Sequence, residues 1–150
     1  MNKDFNLSIK KLNILIEYVN KSEIDENELY EKMVDTFSYI GAFYDYTDKK
    51  ALTKEQNVYL KCCSVLNNVF KHKKELNGSI EELKIIKYGT DLSHCLLDAP
   101  FGDVVYFQNS LYLENMRDSN NYKYYKKNIE SQRLDIFLSK VEKVLGELND

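Results

Sequence analysis

The sequence predicts a mainly α-helical protein, a four-helix bundle with a small irregular insert that contains a β-hairpin between the third and last helices. Apolar residues recur at steps of mostly three or four along four stretches, which is the spacing of one helix face. One proline and five glycines leave few positions that break a helix. The hydrophobic fraction of 43% is typical of a globular chain, and the length fits a single domain over residues 1–150.

The first predicted helix covers residues 4–20 and the second covers residues 26–45. Asp25, followed three residues later by Glu28, is typical of a capping box and marks the start of the second helix. The apolar faces of the two helices consist of Phe5, Ile9, Leu12, Ile16 and Val19, then Leu29, Met33, Phe37, Ile40 and Tyr44.

The third predicted helix covers residues 53–74 and begins with a second capping-box pattern, Thr53 with Gln56. Its inward face is expected to hold Tyr59, Cys62 or Cys63, Leu66, Val69 and Phe70. Residues 80–113 form the insert, in which Ile85-Ile86 and the run 104–107 have the β-branched and aromatic composition of strands. The last predicted helix covers residues 122–148, with Leu134, Leu138, Val141, Leu145 and Leu148 at helical spacing.

Charge and cysteine content narrow the classes of function. The net charge of −3 gives no global attraction to nucleic acid, so any such contact must use a local patch. Three cysteines, of which Cys62 and Cys63 are adjacent, fit a reduced cytoplasmic chain better than a disulfide framework, and their spacing predicts no metal site. The start of the chain lacks the apolar core of a signal peptide, and no apolar run reaches membrane-spanning length. We therefore expect no membrane contact and no cofactor.

The best candidate site lies on the second half of the third helix. Asn67 and Asn68 are amides within an apolar segment, and His72 is one of only two histidines. A histidine titrates near neutrality and can serve as a general acid or base. The neighbouring cations Lys71, Lys73 and Lys74 suit contact with phosphate. The alternative is structural: His72 caps the helix or lies in the core, and the asparagines hydrogen-bond a neighbouring loop.

A second candidate is the run 122–127, which interleaves tyrosines with Lys123, Lys126 and Lys127. Aromatic rings alternating with cations are typical of proteins that bind single-stranded nucleic acid. The alternative is a solvated helix start whose tyrosines pack inward and whose lysines face water.

The run Asn67-Asn68-Val69-Phe70-Lys71-His72 resembles the R-x4-H motif of HEPN domains, which is often written R-N-x-x-x-H. Asn68 and His72 match this pattern, and the place on an inner helix of a four-helix bundle is similar as well. Asn67 stands where the motif has its arginine.

The resemblance implies a metal-independent endoribonuclease of a toxin–antitoxin, abortive-infection or CRISPR system, acting as a homodimer that brings two motifs together. It assigns to His72 the transfer of the proton of the ribose 2′-hydroxyl. The arginine that would steady the phosphate charge is replaced by Asn67, so catalysis needs a substitute cation from Lys71, Lys73 or Lys74. We therefore expect an RNA-associated protein of a prokaryotic phage-defence or toxin–antitoxin system, with weakened or absent ribonuclease activity.

Two other classes of function remain open. One is a non-enzymatic inhibitor or immunity protein that binds a protein partner, for example a phage-encoded anti-defence protein. The other is a module that only dimerises. An aromatic content of 13% is more than a small core readily buries, which independently predicts a homodimer.

Overall fold

The computed structural model describes residues 3–21, 23–75, 83–86, 104–107 and 120–149, without the side chains of residues 3–4, 71–75 and 83–86. It confirms the mainly α fold with a small antiparallel strand pair between the third and last helical regions. The elements are α1 (Lys3–Val19), α2 (Glu26–Asp45), a 3-10 turn (Lys49–Ala51), α3 (Lys54–Glu75), β1 (Leu83–Ile86), β2 (Val104–Phe107), α4 (Asn120–Asn128) and α5 (Leu134–Asn149). None of the described helices is both long and apolar enough to cross a membrane.

The start of α2 is capped as predicted, with one partner that the sequence did not reveal. The backbone N–H of Glu28 donates to Asp25 Oδ1 at 2.9 Å. The backbone N–H of Asp25 donates to the hydroxyl of Tyr18 at 2.8 Å, and this hydroxyl donates to the carbonyl of Asp25 at 3.2 Å. Tyr18 therefore ties the end of α1 to the start of α2.

The start of α3 has the complete predicted capping box. The N–H of Gln56 donates to Thr53 Oγ1 at 3.1 Å, and the N–H of Thr53 donates to Gln56 Oε1 at 3.0 Å. Farther along α3, Cys62 and Cys63 are both buried. Both can be buried because α2 packs on one side of α3 while α4 and α5 pack on another.

The prediction of one continuous helix over residues 122–148 is wrong, because the chain leaves the helical path between α4 and α5. Ser131 adopts a left-handed conformation with φ of 65°. Its N–H donates to the carbonyl of Phe107 at 3.0 Å, and the N–H of Phe107 donates to the carbonyl of Gln132 at 2.9 Å. The backbone of β2 thus pairs with this segment and competes with helix continuation.

The predicted hairpin strands are present as an antiparallel pair, with Leu83 opposite Phe107 and Ile86 opposite Val104. The rest of the predicted insert lies outside the described residues. Phe107 attaches the pair to the core, since its ring lies 5.4 Å from the ring of Phe137, edge to face. The aromatic centre continues through Phe37, whose ring is 6.3 Å from Phe137.

The aromatic residues are mostly internal, which removes one reason for predicting a homodimer. Among the described tyrosines and phenylalanines, only Tyr46 is exposed, at 93% of its surface. The other described rings are buried or half-buried within the single chain. The aromatic content therefore does not require a partner, and the homodimer stays a prediction.

Candidate functional site

The run 67–72 lies in a continuous helix, as predicted, because α3 extends to Glu75. The side chains of His72 and of its neighbours Lys71, Lys73 and Lys74 fall outside the described residues. Their roles as base and phosphate-binding cations therefore stay predictions.

Asn67 lies at a close approach between α2 and α3. A Cβ placed on Gly41 of α2 would lie 3.2 Å from the Cα of Ser64 and 3.3 Å from the Cβ of Asn67. Both Asn67 and Asn68 are half-buried. The side chain at the place of the motif arginine thus packs against a glycine of the neighbouring helix, and this contact requires a small residue at position 41.

The two described cysteines are chemically protected. Both thiols are free and buried. Burial raises the pKa of Cys62 to about 12 and raises the pKa of Cys63 well above its ordinary value. Both therefore remain neutral at physiological pH, whereas the thiolate is the form that attacks electrophiles and binds metals. Within the described residues, no group of three or more His, Cys, Asp or Glu side chains could hold a metal ion.

The predicted cationic side chains of α4 share one exposed face. Lys123, Lys126 and Lys127 are all exposed, and at roughly 100° per residue they span an arc of about 100° around the helix. Tyr125, on the opposite side, is fully buried. The structural alternative is therefore right for Tyr125, which packs inward beneath the lysines.

Tyr124 lies at the edge of this face and is already engaged on both its hydroxyl and its ring. The hydroxyl donates to the carbonyl of Val58 at 3.2 Å, and Lys61 Nζ of α3 lies 4.7 Å from the ring centroid. Burial raises the pKa of Tyr124, so the phenol stays neutral. Because a cation covers one face of the ring, that face is not free for a base to stack on it.

Lys61 is the residue that sequence reasoning missed. It is exposed on α3, and it joins Lys123, Lys126 and Lys127 because Tyr124 packs between α4 and α3. No local signal in the sequence links Lys61 to α4, since the contact depends on how the two helices pack. We call these four lysines the lysine strip.

The lysine strip is suited to binding anions by charge rather than by directed hydrogen bonds. A lysine ammonium acts as a point charge on a flexible stem, unlike the planar fork of arginine. The α4 segment itself contains no acidic residue to neutralise the strip. Lys126 and Lys127 also lie in the last turn of α4, where cations complement the helix dipole. The four described residues of the strip are all lysines, and none of them is a histidine or a carboxylate that could act as a general base.

No protein-family model, curated protein or solved structure matches this chain.

Proposed function

We propose that the chain is a HEPN-like, RNA-associated protein of a prokaryotic phage-defence or toxin–antitoxin system, acting in the cytoplasm. It binds RNA through the lysine strip, and its ribonuclease activity is weak or absent. The observation that carries the proposal is the shared exposed face of Lys123, Lys126 and Lys127, above a fully buried Tyr125 and next to Lys61. This face concentrates positive charge on a chain whose net charge is −3.

The lysine strip favours contact with the RNA backbone over recognition of bases. Non-specific single-strand binders combine cations with free aromatic platforms. Here Tyr125 is buried and Tyr124 is covered by Lys61, so cations remain while base stacking is restricted. Contacts to phosphate carry little information about base sequence, and the affinity that they provide falls as the salt concentration rises. We therefore expect weak sequence preference.

The proposed loss of ribonuclease activity follows from Asn67. An amide brings no positive charge to a phosphorane-like transition state, and removing one such electrostatic group typically costs about a hundredfold or more in rate. Asn67 also packs at the close approach to Gly41. A homodimer that joins two α3 helices, with His72 moving a proton, completes the HEPN-like proposal.

The RNA contact is tested by fluorescence anisotropy with a labelled single-stranded RNA. Replacing Lys123, Lys126 and Lys127 together by glutamine should weaken binding by about tenfold to a hundredfold at moderate salt, because three phosphate contacts are lost. The matched control replaces Lys10, Lys50 and Lys54, which are exposed on other elements, by glutamine. The control changes net charge equally and should leave affinity within about twofold. Equal weakening by both variants would count against a site on α4.

The catalytic half of the proposal is tested with Asn67→Arg and His72→Ala. We expect little cleavage of RNA by the wild-type protein. Asn67→Arg should raise cleavage or RNA affinity, most visibly at low salt, and His72→Ala should remove any cleavage without loss of stability. If Asn67→Arg instead unfolds the protein, Asn67 is a packing amide, the motif match is accidental, and the function of a protein-binding inhibitor becomes the better proposal.

A further inference from the structure

An open groove runs between the C-terminal half of α1 and the N-terminal half of α5. Its volume is about 420 Å³. Val19 and Leu138 are buried beneath it, Ile16 is half-buried, and Ile136 exposes 49% of its surface. The lining consists of Ile16, Val19, Asn20, Asp135, Ile136, Leu138, Ser139 and Glu142.

The cations of α5 point away from this groove. Lys140 Nζ lies 5.6 Å from the ring centroid of Tyr59, and Lys143 Nζ lies 3.3 Å from Glu55 Oε1. Tyr59 and Glu55 both belong to α3, on another side of α5. The lysines of this helix thus face α3.

Lys11 of α1 also points away from the groove, because its Nζ lies 2.6 Å from Asp35 Oδ2 of α2. The groove lining therefore contains two carboxylates, Asp135 and Glu142, and no lysine or arginine. Arg133 forms a bidentate ion pair with Asp135, in which Nε donates to Oδ1 at 2.9 Å and Nη2 donates to Oδ2 at 2.8 Å. Glu142 forms no ion pair with any described residue, so it is available to a partner.

The length of the α5 wall suits a short docked helix. From Asp135 to Glu142 the wall rises by about 10 Å, or two helical turns. Amphipathic helices dock in such grooves through apolar anchors spaced by three, four and seven residues. The accessible apolar surface of this groove comes from the exposed Ile136 and the half-buried Ile16, and the polar side chains of Asn20 and Ser139 lie beside them.

We propose that this groove docks a cationic amphipathic helix of a partner protein. Aliphatic side chains of that helix lie between Ile16 and Ile136, and a lysine or arginine at its edge pairs with Glu142. Charge complementarity selects this occupant, since Glu142 is a carboxylate of the lining that pairs with no described cation, and the lining contains no lysine or arginine. The groove shares no residue with the lysine strip, so the inference goes beyond RNA binding.

The test uses a labelled synthetic peptide about 14 residues long, or four helical turns, with leucines on one face and lysines on the others. Ile136→Ser and Glu142→Lys should each weaken its binding roughly tenfold, because one removes an apolar contact and the other reverses the charge. Each variant has a matched control outside the groove. Ile14→Ser alters an isoleucine that is 44% exposed on α1, and Glu147→Lys reverses a charge that is exposed on α5.

The proposal would be overturned if both control variants weakened peptide binding as much as the groove variants do. It would also be overturned if a peptide with the same residues in scrambled order bound equally well. If the protein self-associates and Ile136→Ser abolishes this self-association, the groove binds a second copy of this chain instead. Substituting glutamine for Lys123, Lys126 and Lys127 should leave peptide affinity at or above the wild-type value. Failure of the peptide test is therefore distinguishable from failure of RNA binding.

Discussion

Replacing Gly41 by alanine should destabilise the protein, even though alanine is the better helix former. The added Cβ would lie 3.2 Å from the Cα of Ser64 and 3.3 Å from the Cβ of Asn67. The first of these atoms belongs to the backbone, so the contact is relieved only if α2 and α3 move apart. Such a shift disturbs the packing around the whole contact.

The magnitude follows from two opposing effects. Replacing glycine by alanine inside a helix gains about 1 kcal/mol in helix propensity. Overpacking a close contact typically costs about 1–3 kcal/mol. Gly41→Ala should therefore lower the free energy of unfolding by up to about 2 kcal/mol. Each kcal/mol corresponds to a Tm change of about 2–4 °C in a protein of this size.

Gly146 provides the matched control, because a Cβ at that position of α5 meets no atom within 4 Å. Gly146→Ala should stabilise the protein by up to about 1 kcal/mol through propensity alone. Urea denaturation followed by circular dichroism measures both variants. If Gly41→Ala were as stabilising as Gly146→Ala, the close approach of α2 and α3 would be refuted.

Three further predictions concern the turn before α5, the buried thiols and the capping of α3. Ser131→Gly should stabilise the protein by about 1 kcal/mol in urea denaturation, because glycine adopts the left-handed φ of 65° without strain; a loss of stability would contradict this backbone conformation. The raised pKa of Cys62 keeps its thiol protonated in the folded state. The contribution of this thiol to the free energy of unfolding is therefore fully present below pH 9.0 and is lost as pH rises towards about 12. The stability of Cys62→Ala should fall less steeply over that range, and an equal fall would contradict the burial of the thiol. Thr53→Ala should cost about 1 kcal/mol in the same denaturation assay, because it removes the hydrogen bond at 3.1 Å to the N–H of Gln56; an unchanged midpoint would show that the cap contributes nothing.

The sequence was sufficient to locate α1, α2 and α3 because their signals are local. Apolar spacing marks the buried face of each helix, and Asp25 and Thr53 accept the expected capping hydrogen bonds. The run 104–107 was recognisable as a strand from its β-branched and aromatic composition. Each of these signals lies within the element that it predicts.

The features that the sequence did not predict depend on contacts between distant segments. The break between α4 and α5 contains no glycine or proline that would reveal it in the sequence. Backbone hydrogen bonds with Phe107 end the helical path near Ser131 instead. Similarly, Lys61 joins the lysines of α4 only through Tyr124, and the contact of Asn67 with Gly41 depends on the packing of α2 on α3. By contrast, the shared face of Lys123, Lys126 and Lys127 follows from the helical period alone.

The central claim, that the lysine strip binds the RNA backbone, is tested most directly by the salt dependence of RNA affinity. For single-stranded RNA, the slope of log K against log salt is about −0.7 for each phosphate contact. Four lysines therefore predict a slope of about −3 for the wild-type protein. Replacing Lys123, Lys126 and Lys127 by glutamine should bring the slope to about −1. An unchanged slope in this variant would contradict the claim.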